Sequence, residues 1–114
     1  MLFVYYPKCS TCQKAKKVLD EKNIKYVEKD IKLDNPNYEE IKTWYTISGL
    51  PLKKFFNTSG LVYKELNLKD KINTLSEDEM IQLLASNGML IKRPILVNKN
   101  EIIIGLKKDL YEKL

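Results

Sequence analysis

The sequence predicts a single-domain α/β fold in which a strand–helix–strand unit and a strand–strand–helix unit flank an all-helical block. Three observations predict it. The chain has 114 residues, the size of one domain. Short runs of β-branched and aromatic residues lie near both ends, and apolar residues recur at helical spacing between them. The sequence contains no repeat or linker, so residues 1–114 are predicted to form one domain.

The first unit follows from the apolar pattern of the N-terminal third. A buried strand is predicted over residues 2–6, where β-branched and aromatic residues precede a proline. A helix is expected to begin at Cys9 or Ser10 and to run to about Lys22. Alternation over residues 25–31 predicts a second strand. Such a unit normally pairs its two strands in parallel through a right-handed crossover.

The middle of the chain is predicted to be helical throughout. The expected elements are a helix over residues 38–47, a second helix after Pro51, short helical pieces over 61–75, and a helix from 77 to about 86. Ser76 and Glu79 have the spacing of a capping box at the start of the last of these. The large aromatic residues of this block are expected in the core: Trp44, Tyr45, Phe55 and Phe56.

The last unit is a predicted hairpin followed by a helix. Strands are expected over residues 95–97 and 101–104, around a turn at 98–100 and ending at Gly105, with a helix over 106–114. The complete order matches a thioredoxin or glutaredoxin-like sheet with an all-helical insert. The core would comprise about residues 1–34 and 88–114, and the insert about 35–87.

Composition restricts the classes of function. The longest apolar runs are a few residues, whereas a membrane span needs about 20. The N-terminus lacks the basic leader and long apolar region of a secretory signal, so a cytoplasmic location is expected. The net charge is +5, but the lysines are dispersed among acidic residues. We therefore expect a solvated basic surface on a monomer that does not bind nucleic acid directly.

The two cysteines of the chain form one C-x-x-C motif, Cys9-Ser10-Thr11-Cys12. Cys9 falls where the first strand gives way to the helix, and a helix N-terminus stabilises a thiolate. Lys8 would add positive potential. Cys12 lies one turn further on and is placed to attack a mixed disulfide at Cys9, or to trap a sulfenic acid there. The motif therefore predicts a thiol redox site in which Cys9 attacks and Cys12 resolves.

The cysteine pair has two other interpretations. A structural zinc site needs four ligands, and the chain has no histidine and no further cysteine, so no metal is expected. An inert pair of buried thiols remains open. The strand-to-helix context favours redox chemistry over both.

Arg93-Pro94 is the second feature, because Arg93 is the single arginine of the chain and precedes the predicted third strand. Thioredoxin-like folds place a cis-proline there, beside the redox motif. A cis bond at Pro94 would bring Arg93 close to Cys9, where a guanidinium stabilises a thiolate or holds an anionic substrate. The alternative is a surface arginine before a trans-proline.

The stretches from Tyr6 to Ala15 and from Leu90 to Ile95, together with the helical block, resemble the ArsC/Spx family over essentially the whole chain. The resemblance implies a thioredoxin-like fold with a helical insert. Arsenate reductases of the family use one nucleophilic cysteine, which matches Cys9, and an oxyanion pocket of three arginines. Only Arg93 matches one of these arginines; Lys53 stands at the first arginine position, and Gly105 lies near the last.

The Spx regulators of the family switch through a C-x-x-C pair, and they bind the C-terminal domain of the RNA polymerase α-subunit rather than DNA. Gly49 lies in the region corresponding to their polymerase contact. Three hypotheses result: a thiol–disulfide oxidoreductase, a redox-sensing regulator, and a true arsenate reductase. The first is preferred, with an external thiol donor (glutathione, glutaredoxin or thioredoxin) and no bound cofactor. The expected substrate- or anion-binding residues are Lys8, Ser10, Thr11, Lys53 and Pro94.

Overall fold

The computed structural model describes residues 1–114 and contains a four-stranded mixed sheet in the order β2-β1-β3-β4. The strands are β1 (Leu2–Tyr5), β2 (Val27–Asp30), β3 (Ile95–Asn98) and β4 (Glu101–Ile104). β1 pairs in parallel with β2 and antiparallel with β3, and β3 forms an antiparallel hairpin with β4. The predicted α/β class, the parallel first unit and the C-terminal hairpin are confirmed.

Six α-helices surround the sheet: α1 (Ser10–Glu21), α2 (Tyr38–Ser48), α3 (Leu61–Glu65), α4 (Leu68–Lys71), α5 (Glu77–Ser86) and α6 (Lys108–Glu112). Short 3-10 turns span Leu52–Phe55, Ile72–Thr74 and Gly88–Leu90. The segment between β2 and β3 contains no strand and only one isolated bridge, so the all-helical block is present as predicted. None of the helices has the length and apolar content needed to cross a bilayer.

The two faces of the sheet are covered by different parts of the chain. Successive strand residues point to opposite faces, so Phe3 and Val4 enter different clusters. Val4 belongs to a cluster of 17 buried residues formed mainly with the insert helices. Phe3 belongs to a cluster of six, which includes Leu19 of α1 and Tyr111 of α6. The insert thus covers one face, and α1 and α6 cover the other.

The helices α2 and α5 begin with complete capping boxes. The Asn37 side chain accepts the Glu40 N–H at 2.9 Å, and the Asn37 N–H donates to the Glu40 carboxylate at 3.1 Å. Ser76 and Glu79 repeat the arrangement, with distances of 3.1 and 2.9 Å. The capping box predicted at Ser76 is confirmed. It arises from residues three positions apart and needs no tertiary contact.

Several predicted elements are shorter than expected. The helix predicted after Pro51 is only the four-residue 3-10 turn Leu52–Phe55. β2 begins at Val27 rather than at Lys25, because Asn23 adopts a left-handed conformation (φ 56°) and the ladder with β1 has only four paired positions. The last helix begins at Lys108 rather than at Leu106. Gly105 turns the chain with φ 77°, and Lys107 is extended before the helix starts.

The chain passes very close to the end of β2 at Gly88, the first residue after the insert. A Cβ atom at this position would lie 1.9 Å from the Ile31 carbonyl oxygen, which follows β2. Asn35 reinforces the contact by donating from Nδ2 to the Ala85 carbonyl of α5 at 3.1 Å. Only glycine permits this approach of two backbone segments.

Candidate functional site

Cys9 occupies the N-cap position of α1. Its backbone is extended (φ −86°, ψ 122°), and its carbonyl accepts the Gln13 N–H at 3.0 Å. The turn before it is fixed at two points: the Cys9 N–H donates to the Tyr6 carbonyl at 3.0 Å, and Gln13 Nε2 donates to the Pro7 carbonyl at 2.9 Å. No side chain caps the helix, and its first turn contains no acidic residue. The half-buried Cys9 sulfur therefore lies at an uncapped helix N-terminus.

The surroundings of Cys9 favour its thiolate. Partial burial by itself would raise the pKa of the thiol. The N–H groups of Cys12 and Thr11, the Cys12 thiol and Arg93 favour the charged form of the nearby sulfur and outweigh that effect, so the Cys9 pKa is lower than that of an ordinary thiol. A lowered pKa makes Cys9 the more nucleophilic partner near neutral pH.

Cys12 has the opposite preference. It is completely buried on the inner side of α1, and burial raises its pKa to about 12. The Tyr6 N–H, 3.5 Å from the Cys12 Sγ, favours the thiolate but offsets the burial only in part. The charge of the nearby Cys9 sulfur raises the pKa of Cys12 further. Both residues are free thiols, and one sulfur is suited to attack while the other remains protonated.

Arg93 reaches the same point from the other end of the chain. The Arg93–Pro94 bond is cis, as predicted, and Pro94 is buried directly before β3. The antiparallel register pairs Val4 with Ile95, so Arg93 lies where β1 ends and α1 begins. Its Cζ atom is 5.2 Å from the centroid of the Tyr6 ring. The guanidinium lies near the Cys9 sulfur and lowers the pKa of that thiol, while its Nε and Nη1 are buried without a partner.

A cavity of about 720 Å³ lies next to Cys9. Four segments form its walls: the start of α1, the loop before α3 with the first residues of that helix, the segment before β3, and the segment after β4. Its charged lining residues are Lys92, Arg93 and Lys107, and no acidic side chain lines it. Its apolar lining includes Leu61, which is 75% exposed.

Backbone hydrogen bonds hold the insert wall of the cavity against the residues before β3. Phe56 and Ile91 form an isolated antiparallel bridge. On either side of it, the Asn57 N–H donates to the Leu90 carbonyl at 2.7 Å, and the Lys92 N–H donates to the Phe55 carbonyl at 2.8 Å. The loop that follows Phe56 is therefore positioned relative to Arg93, although more than 30 residues separate them in sequence.

The structure brings some of the predicted site residues together and leaves others apart. Cys9, Thr11 and Arg93 line the cavity. Lys8 and Ser10 are exposed beside Cys9 but do not line it. Lys53 is exposed elsewhere, where its ammonium group hydrogen-bonds to Asn73. Gly49 is the exposed C-cap of α2, with φ 66°, away from the cavity.

Sequence reasoning did not identify Lys92, Lys107 and Leu61 as neighbours of Cys9. Lys92 had a signal in the sequence, because it directly precedes Arg93, which the sequence assigns to the site. The signal for Lys107 was weaker. In a β3–β4 hairpin beside β1, the end of β4 lies at the same end of the sheet as the end of β1, and Lys107 follows β4 two residues after the turn at Gly105. Leu61 had none, because only tertiary hydrogen bonds fix the position of its loop.

Comparison with known proteins supplies the family. The model of the ArsC family matches residues 4–114. The chain is 51% identical over 113 residues to the protein YusI of Bacillus subtilis, covering 99% of this chain and 96% of that protein. It is 30% identical over 105 residues to the regulatory protein MgsR of the same organism, covering 92% and 82%. A solved structure described as a possible arsenate reductase from Streptococcus mutans superposes with a TM-score of 0.88 at 52% identity, covering 96% of this chain and 95% of that one.

Proposed function

This chain belongs to the ArsC family, and we propose that it is a thiol–disulfide oxidoreductase in which Cys9 attacks and Cys12 resolves. The observation that carries the proposal is the contrast between two sulfurs one helical turn apart. The surroundings of Cys9 lower its pKa, and burial raises the pKa of Cys12 to about 12. Such a pair has a defined order of reaction.

The proposed reaction has two exchange steps. The Cys9 thiolate attacks one sulfur of a substrate disulfide, forming a mixed disulfide and releasing one thiolate. Cys12 then loses its proton and attacks the Cys9 sulfur, which releases the second substrate thiol and leaves a Cys9–Cys12 disulfide. The two electrons come from the protein dithiol, and an external thiol donor of the cytoplasm (glutathione, glutaredoxin or thioredoxin) restores it.

Arg93 is assigned two roles in this scheme. Its guanidinium lies near the Cys9 sulfur and stabilises the attacking thiolate. Its side chain also lines the cavity, where its positive charge would attract an acidic group of the substrate.

Two single substitutions test the proposal. In Cys9→Ser, reduction of a small disulfide with dithiothreitol as donor should fall by at least about 100-fold, because no thiolate remains at the helix start. In Cys12→Ser, the mixed disulfide at Cys9 should accumulate and be visible by mass spectrometry as one added substrate thiol. Equal, undiminished reduction by both variants would refute the proposal.

A second candidate is a redox-responsive regulator that binds the RNA polymerase α-subunit. The match to MgsR supports it, and so does the exposed turn at Gly49, which has the exposed apolar residues Ile47 and Leu50 on either side. A pull-down with the C-terminal domain of that subunit, with the cysteine pair reduced and then oxidised, tests it. Absence of binding in both states would count against it.

Arsenate reduction is the third candidate. Lys53, aligned with a family arginine, lies outside the cavity, and Arg93 is the single guanidinium near Cys9. A lysine holds an anion as a point charge without the two-pronged geometry of arginine. We therefore rank this activity below disulfide reduction, and an assay of arsenate with glutathione or thioredoxin as donor tests it directly.

A further inference from the structure

The cavity beside Cys9 combines three features that together restrict what it binds. Its volume of about 720 Å³ is within the range of sites for organic ligands, about 300–1,000 Å³, and far exceeds what a simple oxyanion fills. Its charged side chains are all cationic. Its lining is also partly apolar, including Leu61, Val62 and Leu106.

The cations lie on the two segments that flank the β3–β4 hairpin. Lys92 and Arg93 precede β3, and Lys107 follows β4. Neither lysine ammonium is held by a carboxylate, since the ion pairs of the protein involve Lys16, Lys17 and Lys29. The Nε and Nη1 donors of Arg93 are likewise unpartnered. The cavity therefore holds uncompensated positive charge around the reacting sulfur.

The loop that carries Leu61 gives the cavity an apolar edge. Leu61 is 75% exposed, although most leucines of the chain are buried or half-buried, and it begins a helix whose other apolar residues Val62 and Tyr63 pack inward. At the opening of the cavity, Leu61 would offer an apolar contact to the carbon skeleton of a bound molecule. The site thus offers cations for acidic groups and apolar contacts for the atoms between them.

Resting on the proposed function, we infer that the substrate of this site is a low-molecular-weight disulfide carrying carboxylates, and that Lys107 and Lys92 select it by charge. The Cys9 thiolate attacks the nearer sulfur of this disulfide, the S–S bond breaks, and one carboxylate-bearing thiolate leaves. Attack by Cys12 releases the second thiol. One substrate disulfide gains two electrons and the two protons of the protein dithiol, and the protein disulfide forms.

Three disulfides of similar size test the inference: 3,3′-dithiodipropionate, bis(2-hydroxyethyl) disulfide and cystamine, which are dianionic, neutral and dicationic. Single-turnover reaction with the reduced full-length protein is measured by thiol release, and each rate is divided by the rate of the same disulfide with dithiothreitol. This correction removes intrinsic differences in reactivity. The normalised rates should fall from the dianion to the neutral compound to the dication.

Substitution of the cavity lysine should reduce this preference. Lys107→Gln should slow the dianion by roughly two- to fivefold more than it slows the neutral disulfide, the effect of an exposed ion pair. Lys107→Gln with Lys92→Gln should slow the dianion further, and raised salt should weaken the preference of the unsubstituted protein. Lys108→Gln is the matched control, because Lys108 is the adjacent exposed lysine and does not line the cavity.

The outcomes separate the inference from the proposed function. Equal normalised rates for the three disulfides would overturn the inference, and so would equal effects of Lys107→Gln and Lys108→Gln, which would mean that only net charge matters. Both results leave the proposed function intact if the reaction depends on Cys9. Thiol release that persists in Cys9→Ser, or no reaction with any disulfide, would overturn the proposed function and the inference with it.

Discussion

The first backbone N–H groups of a helix have no acceptor within the helix, and helices α1 and α5 differ in how these groups are satisfied. At α5, the Ser76 side chain and the Glu79 carboxylate satisfy backbone N–H groups, and all of the residues Glu77–Glu79 are acidic. At α1, the cap residue is Cys9, no side chain caps the helix, and the first turn has no acidic residue. Helix α2 follows the pattern of α5 with Asn37 and Glu40. The short helices α3, α4 and α6 also lack a side-chain cap. Among the three long helices, α1, α2 and α5, only α1, which carries the cysteine pair, begins without one.

If Cys9 reacts as proposed, this difference is stability given up for reactivity. A capping side chain typically contributes about 1 kcal/mol, and acidic residues in the first turn add a few tenths. Either device at α1 would occupy the N–H groups or cancel the positive potential that stabilises the Cys9 thiolate. The insert, which positions the cavity wall, uses both devices. The site end of α1 uses neither.

The largest expected effect is the difference in reactivity between the two thiols of α1. At pH 7, iodoacetamide should modify Cys9 at least about 100-fold faster than Cys12, because the Cys12 thiol is buried and its pKa is about 12. The Cys9 rate should rise with pH and level off below the pH at which a free thiol does, near 8.5, because its pKa is lowered. Peptide mass spectrometry of quenched samples measures both rates.

The urea-unfolded protein is the control for this measurement, and there the two rates should converge. Equal rates in the folded protein would contradict the contrast between the thiols.

The lowered pKa of Cys9 also makes the stability of the fold depend on pH. The lowered pKa of Cys9 contributes stability above its unfolded pKa, and this contribution disappears as the pH falls through its folded pKa.

An exchange of caps should change stability in opposite directions at the two helices. Ser76→Ala removes a cap and should lower the free energy of unfolding by about 1 kcal/mol without affecting turnover. Cys9→Ser introduces a cap and should raise it by up to about 1 kcal/mol while abolishing turnover. Urea unfolding under reducing conditions measures both. A Cys9→Ser protein less stable than the parent would argue against an uncapped α1.

The smallest expected effect tests the acidic first turn. Ser10 occupies the position in α1 that Glu77 occupies in α5. Ser10→Glu should raise the free energy of unfolding by about 0.3–1 kcal/mol through the helix dipole. It should also raise the pKa of Cys9 and slow its alkylation at pH 7 by roughly two- to fivefold.

Ser10→Gln is the control for this substitution, since it has the same shape without the charge. It should leave the alkylation rate of Cys9 near that of the parent. If the glutamate and glutamine variants react alike, the potential at the start of α1 does not govern the thiol.

Most of the features predicted correctly from the sequence have local causes. The Ser76–Glu79 capping box, the strand-ending turn at Gly105 and the hairpin between β3 and β4 each depend on residues within a few positions of one another. The cis bond at Pro94 followed from the predicted fold rather than from local residues. The ends of β2 could not be predicted from its own residues, because its length is set by pairing with β1.

The candidate site divides in the same way. Cys9, Cys12 and Arg93 could be identified, since a motif and a single arginine mark them. Lys107 and Leu61 could not be identified, because the cavity walls that contain them are placed beside Cys9 by hydrogen bonds between segments distant in sequence. Lys53 was predicted at the site because it aligns with an arginine of the family. Its side chain instead lies outside the cavity and contacts Asn73.

Gly88 has a consequence for how the protein folds. Its backbone approaches Ile31 so closely that no side chain fits, and the 17-residue cluster joins the insert helices to residues from three strands. The helical block therefore has no hydrophobic core separate from that of the sheet. The insert should therefore not unfold independently of the sheet. We expect its helices to lose their amide-exchange protection together with β1 and β3, in one cooperative transition.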